Sequence, residues 1–388
     1  MNTRPLFNTE KVICDLSYEE KLAWIKLIRT ENIGPVTFFN FMDFYGSASK
    51  VLEVIPEIVK KRGGKKTLKV PDHALIEKEY EAVIKKDGYM IAACEEGYPI
   101  PLSAINDAPP VITVFGRKDL LKKNSVAIVG SRNASLNGCK FTEKLAAGLG
   151  KAGQVVVSGL ARGIDRAAHK GSIESGTIAI VAGGADVIYP QENQDIYEDI
   201  CDKGAVIAEN PLGTAPRSKD FPRRNRIISG ISQGTVVVEA TKRSGSLITA
   251  RMAAEQGRDV YAVPGFPYDP RAAGPNSLIR DGAALVRSAD DIIESLNDFS
   301  APNLMDSSNM GYDNDYPIEI NEKINDIEVD EAHDVVIKNL SFTPLGLDEL
   351  ARACQLTISM LQFVLLELEL AGRVKRVPGN KVVLLDND

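Results

Sequence analysis

Short apolar runs that stop at glycine or a small polar residue recur through the middle of the chain, with helical apolar spacing between them. VAIV at 126–129 stops at Gly130, and Ser131 and Arg132 follow at once. Such a run reads as a strand buried on both faces, the kind found in parallel sheets. From Gly138 through LAAGLGKAG helical spacing holds up to Gly153, and QVVVSG supplies the next strand. One βαβ unit therefore spans residues 126–159. TIAIVAGG at 177–184, AVIAE at 205–209, GTVVVEA at 234–240 and DVYAVPG from 259 continue the pattern. These six runs predict an α/β domain with a Rossmann-like parallel sheet. Residues 87–118 alternate apolar runs with Pro and Gly and predict an extra strand pair leading into it.

The flanks follow other periods. From Ser17 to about Pro56 the spacing is helical, with tight turns at Asn32 to Pro35 and at Gly46 and Ser47. This predicts a helix-hairpin-helix or SAM-like bundle, whose Gly34 turn either donates amides to a DNA phosphate or is a plain helical turn. KKRGGKKTLK at 60–69 carries six basic residues and no acidic one, as a solvated loop or a nucleic-acid contact would. Residues 298–331 hold ten acidic residues and one lysine, the composition of a flexible linker. Beyond it, three helical segments and KRVPGNKVVLL predict a winged helix. Gln362, Glu367 and Glu369 stand where a DNA reader would offer basic and amide side chains, so a protein-contact role is expected there. The expected domains are 1–86, 87–297, the linker 298–331, and 332–388.

Composition narrows the chemistry. The 388 residues suffice for two or three domains, and the net charge of −7 means that nucleic-acid binding would need a local basic patch. The five cysteines form no CxxC pair and there are three histidines, so neither a zinc site nor a disulfide framework is expected. MNTRPLFNTEK has no apolar signal core, and no run is long enough for a membrane span, which makes a reducing cytoplasm the expectation.

The strongest constellation is PRSKDFPRRNRIIS at 216–229, where Arg217, Lys219, Arg223, Arg224 and Arg226 surround Phe221. Guanidinium groups around an exposed ring suit single-stranded nucleic acid: they neutralise phosphates while a base stacks on the ring. The opposing account is a helix start whose arginines bridge to carboxylates, with Phe221 buried as a staple. A second group comprises Ser131, Arg132, Gly159, Arg162, Gly163, Gly183, Gly184 and the Ser244, Gly245, Ser246 run, small or hydroxyl residues at successive strand ends. No GxGxxG follows the first strand, so a dinucleotide is not expected. His169 reads as a structural histidine, and Asp165 and Glu239 as either a carboxylate pair or braces for the arginines.

Taken in order, VAIVGSR, SGLARGID, GGADVIYPQEN, FPRRNRII, VVVEATKRSGSLITA and VPG followed by GPNSLIRDGA resemble the DNA-processing DprA (Smf) family over most of residues 88–297. The resemblance implies an extended Rossmann-like domain between an N-terminal helical domain and a C-terminal winged helix. It also implies a cytoplasmic, non-catalytic, homodimeric protein that binds incoming single-stranded DNA in natural transformation and loads the RecA recombinase, with no cofactor, metal or membrane. Its DNA pocket would fall on Gly130, Ser131, Arg132, Phe221, Arg224 and Asn225, with Lys219 matching by proximity. In NSLIRDGAALV at 276–286, Leu278, Ile279, Leu285 and Val286 would supply apolar dimer surface or else form a buried edge strand. The competing class, phosphoribohydrolases of the same sheet, carries PGGxGTxxE, of which this chain keeps only Gly234, Thr235 and Glu239.

Overall fold

A computed structural model describes residues 14–61, 69–300, 326–341 and 343–385. Seven residues of the basic run (62–68) and most of the acidic stretch (301–325) lie outside the described residues. The first elements are helices α1 (Tyr18–Arg29), α2 (Pro35–Tyr45), α3 (Ala48–Lys61) and α4 (His73–Ile84). Then come β1 (Tyr89–Ala92), α5 (Ile100–Ser103), β2 (Val111–Gly116), β3 (Ser125–Val129), α6 (Leu136–Lys151), β4 (Val155–Ser158), α7 (Ile164–Ser172), β5 (Thr177–Gly184), α8 (Gln194–Lys203) and β6 (Ala205–Asn210). The sheet domain closes with α9 (Asp220–Ile231), β7 (Gly234–Val237), α10 (Gly245–Glu255), β8 (Asp259–Ala262), α11 (Ala273–Arg280), β9 (Ala284–Leu285) and α12 (Ala289–Ser300). The C-terminal elements are α13 (Asp326–Asn339), β10 (Leu345–Gly346), α14 (Leu347–Cys354), α15 (Ile358–Leu370), β11 (Val374–Val377) and β12 (Lys381–Leu384).

Contacts divide the chain into two compact units, residues 1–25 with 72–302 and residues 26–71 with 303–388. The first holds a nine-stranded sheet in the order β1-β2-β6-β5-β4-β3-β7-β8-β9. The pair expected at 87–118 is present as β1 and β2, antiparallel to each other, and β2 runs antiparallel to β6. From β6 to β9 every pairing is parallel, so the sheet is mixed only at one side. All five residues of β3 and all eight of β5 are buried, the two-sided burial that their unbroken apolar runs predict. Val126, Ile128, Leu145, Leu149, Ile164 and Val236 knit β3, α6, α7 and β7 into one core. Chain order reverses at β3, whose neighbours are β4 and β7, so a crevice opens beyond the carboxyl ends of β3 and β7.

Two expectations about this unit need correction. Val286 belongs to this core at 0% exposure, because the residue after edge strand β9 turns inward and its amide bonds to the Ala262 carbonyl. It offers no dimer surface; Leu285, before it, is 45% exposed, and Leu278 and Ile279 are half-buried on α11. Cys14 and Cys94 form a disulfide across a sequence separation of 80, joined beside a bond from the Cys14 amide to the Cys94 carbonyl. No local spacing signals a pair that only the docking of residue 14 against the end of β1 brings together.

The second unit contains the winged helix, with β10, β12 and β11 as its small sheet. Its core comprises Val336, Leu350, Leu361, Val364, Leu365, Leu368 and Val382. Phe363 of α15 stacks on Phe44 of α2, centroids 3.8 Å apart, so the N-terminal helices of this unit pack on the winged helix. Glu367, expected on the exposed face of α15, is instead 3% exposed and bonded to His333 Nε2 at 2.5 Å. Gln362 and Glu369 are exposed as expected.

Candidate nucleic-acid interface

The crevice is a cleft of about 680 Å³ at the carboxyl ends of the central strands. Its walls come from the turn after β3 (Gly130, Ser131, Arg132), the first turns of α9 (Phe221, Arg224, Asn225) and the start of α10 (Ser244, Gly245, Ser246). Nine of the expected site residues thus converge, though they come from three segments of sequence. Gly159, Arg162, Gly163 and Lys219 do not line it. Two of these build it indirectly. Gly163 adopts φ +70, and a Cβ there would lie 2.3 Å from the Ser131 carbonyl, so only glycine lets α7 start against the turn after β3. A Cβ on Gly159 would lie 2.2 Å from Arg224 Nη1. Arg162 is held by Glu192, its Nη2 donating at 2.7 Å, while Lys219 is exposed at the N-cap of α9.

Phe221 is half-buried, which excludes the buried staple. Its ring centroid lies 5.5 Å from that of Tyr189 and 5.2 Å from the exposed Arg132 guanidinium. An exposed cation–π contact contributes about 0.5–1 kcal/mol, and base stacking on an aromatic about 1–3 kcal/mol. On these magnitudes a base stacked on the Phe221 ring would outweigh the Arg132 contact.

The arginines of the 217–226 segment divide by burial, and here the sequence expectation is overturned in part. Arg224 is 6% exposed, and its Nη1 donates to the carbonyls of Gly159, at 2.6 Å, and Ile180. Burial lowers its pKa to about 10, so it stays charged, but it ties β4 and β5 together and is not free on a phosphate track. Asp165, buried beside it, accepts from the Ala161 amide; burial raises its pKa while the Arg224 charge opposes the rise. Arg226 is buried with Glu209 at 2.6 Å, Arg223 reaches the same carboxylate at 3.4 Å, and Arg217 pairs with Asp220. The exposed cations around the cleft with no ion pair among the described residues are Arg132, Lys219, Lys242 and Arg243.

Helix termini add to this field. The α6 terminus is already filled: Glu239 accepts from the Ser135 amide at 2.8 Å and from its hydroxyl at 2.5 Å. Glu239 and Asp165 therefore serve separate helix ends and form no carboxylate pair. The α10 terminus, capped by Ser244 with no acidic residue in its first turn, opens into the cleft. His169 is buried as expected; its Nδ1–H donates to Thr177 Oγ1 at 2.9 Å, since the Thr177 proton goes to the Val156 carbonyl. Burial drops its pKa to about 3.

Sequence reasoning missed Tyr189, Thr241, Thr249 and Arg271 in the lining, and Lys242 and Arg243 beside it. The signal was present, since Tyr189 stands in the YPQEN loop and Lys242 with Arg243 directly precede the serine run.

A family model described as DNA recombination-mediator protein A matches residues 89–297, more than half of the chain. The chain belongs to the DprA (Smf) family. Models described as a DprA-like N-terminal HHH domain and a DprA winged helix domain match residues 18–82 and 325–380. The chain is 45% identical over 202 residues to DNA processing protein DprA of Bacillus subtilis, covering 51% of this chain and 68% of that protein. It is 37% identical over 300 residues to Protein Smf of Escherichia coli, covering 76% and 77%. The X-ray structure of DprA from Streptococcus pneumoniae aligns with a TM-score of 0.56 at 33% identity, over 74% of this chain and 94% of that one. A DprA structure from Helicobacter pylori, described as giving insight into its single-stranded DNA binding mode, aligns with a TM-score of 0.51 at 27% identity, over 55% and 96%. The family's three parts account for the helices, the extended sheet and the winged helix observed here.

Proposed function

We infer that this DprA-family protein binds single-stranded DNA in the cleft at the carboxyl ends of β3 and β7, as part of DNA processing in transformation. The observation that carries the reading is Phe221, half-exposed between Tyr189 and Arg132, on a rim whose free cations are Arg132, Lys219, Lys242 and Arg243. Gly130, Ser131, Asn225, Ser244, Gly245 and Ser246 supply close backbone approach, amides and hydroxyls for phosphate oxygens. The 87–297 domain carries this site, the 332–388 domain that follows the linker 298–331 serves protein contacts, and the bound strand is delivered to a RecA recombinase. Homodimerisation would centre on Leu278, Ile279 and Leu285. A cytoplasmic location follows from this role. Binding is favoured over nucleotide hydrolysis because Glu239, the glutamate kept from the phosphoribohydrolase pattern, spends its carboxylate on the α6 terminus.

Titration of the full chain with oligothymidine and with duplex of equal length, at several salt concentrations, tests the reading. Single strands should bind more tightly, with the log-log salt slope growing by about 0.7 per phosphate neutralised. Phe221→Ala should cost about 5-fold or more in affinity while leaving the slope nearly intact. Equal affinity for duplex, or an unaffected Phe221→Ala, would refute it, and release of free base from nucleoside monophosphates would favour the hydrolase instead.

A further inference from the structure

Between β8 and α11 the chain makes a loop, residues 263–272, that the cleft reading does not use. Phe266 and Tyr268 stand on it 69% and 88% exposed, ring centroids 5.7 Å apart. Rings so exposed usually belong to segments free to move, but this loop is pinned at both ends. Asn276 grips Gly265, its Oδ1 accepting from the Gly265 amide at 3.1 Å and its Nδ2 donating to the Gly265 carbonyl at 2.9 Å. At the other end the Arg271 carbonyl accepts from the Ala240 amide at 2.7 Å, and the Gly274 amide donates to the Ala240 carbonyl at 2.8 Å. The Asp269 amide closes the turn onto the Phe266 carbonyl at 2.9 Å. Ala240 is the residue before Thr241 of the cleft wall, so the loop is fastened to the cleft itself.

Arg271 makes the two continuous. It lines the main cleft and also a second hollow of about 370 Å³, whose walls include Ser135, Phe141, Pro264 and Phe266. The loop's one carboxylate, Asp269, is neutralised by Arg271 at 3.1 Å, so it presents rings without net negative charge. Lys242 and Arg243 are exposed just beyond Ala240. Aromatic faces next to a run of cations form the surface on which a single strand stacks its bases while its phosphates are neutralised. A loop already held rigid loses little conformational entropy when a base docks on it.

We propose that single-stranded DNA leaving the cleft passes over Arg271 and stacks on Phe266 and Tyr268, a second binding station beyond the Phe221 site. This rests on the single-strand reading of the cleft. A strand too short to leave the cleft gains nothing from the station, whereas a long one does.

The test compares the full chain with its Phe266→Ala/Tyr268→Ala variant on oligothymidines of about six and about twenty nucleotides, lengths bracketing common site sizes. The short oligomer should bind both proteins equally. The long one should bind the variant about 5-fold or more weakly, and tryptophan at both positions should restore it. Unchanged affinity for the long oligomer overturns the station, and so does an equal loss at both lengths, which would mean that the loop only shapes the cleft. Phe221→Ala, measured alongside, separates the two failures. If it weakens both lengths while the loop variant weakens neither, the cleft reading stands and the station falls; if the wild type binds neither oligomer, both fall.

Discussion

Arg132 and Arg224 both line the cleft, yet replacing them should fail in different assays, because one is exposed and the other 6% exposed. Arg132→Ala removes an exposed guanidinium over the Phe221 ring that makes no hydrogen bond among the described residues. It should cost about tenfold in single-strand affinity and lower the salt slope by about 0.7, leaving the melting temperature unchanged. Arg224→Met instead removes the donor that serves the Gly159 and Ile180 carbonyls and the charge beside Asp165. Removing one partner of a buried ionic group costs about 3–5 kcal/mol, which for a domain of this size lowers the melting temperature by roughly 6–20 °C. The pH dependence has a definite sign. Burial raises the folded pKa of Asp165 above its unfolded value, so the folded state binds more protons in the window between the two and stability falls as pH rises through it. Without Arg224 that rise is larger, and the deficit of Arg224→Met should be smaller at about pH 5 than at about pH 8. Thermal melts across pH, with salt-dependent titrations of both variants, decide the matter. An Arg224→Met protein that melts like wild type but loses salt slope would refute the assignment of Arg224 to the fold.

Other consequences are simpler to state. Leu285→Arg should fold and sediment as a monomer if the β9 edge is the dimer surface, whereas Val286→Arg, placed in the core, should unfold the sheet domain; a folded Leu285→Arg that still dimerises defeats that surface. His169, whose folded pKa of about 3 lies below the unfolded value of about 6.5, contributes stability that is present above pH ~6.5 and lost as pH falls towards 3. His169→Gln should therefore flatten the acid limb of the stability curve, and identical limbs would count against it. Lys375→Glu with Arg376→Glu on the wing should leave single-strand affinity within about twofold, since the cleft lies in the other compact unit; severalfold weakening would make the winged helix a second DNA site.

Sequence determined what depends on neighbours along the chain. VAIV, VVVS and TIAIVAGG had to become buried parallel strands because unbroken apolar runs satisfy both faces of a covered sheet, and the glycines that end them place turns at the carboxyl edge. The convergence of Ser131, Phe221 and Ser244 on one cleft was legible for the same reason: parallel strands with helical crossovers bring every strand end to one edge. Which cation stays free was not legible. Arg223, Arg224 and Arg226 are adjacent in sequence, but helical rotation turns Arg224 towards Gly159, 65 residues earlier, and Arg226 towards Glu209, while Arg223 remains half-exposed. Val286, Glu367 and the Cys14 to Cys94 bond follow the same logic. Burial and pairing are set by segments distant in the chain, and a local pattern carries no information about what will lie on the other side of a side chain until the sheet has closed over it.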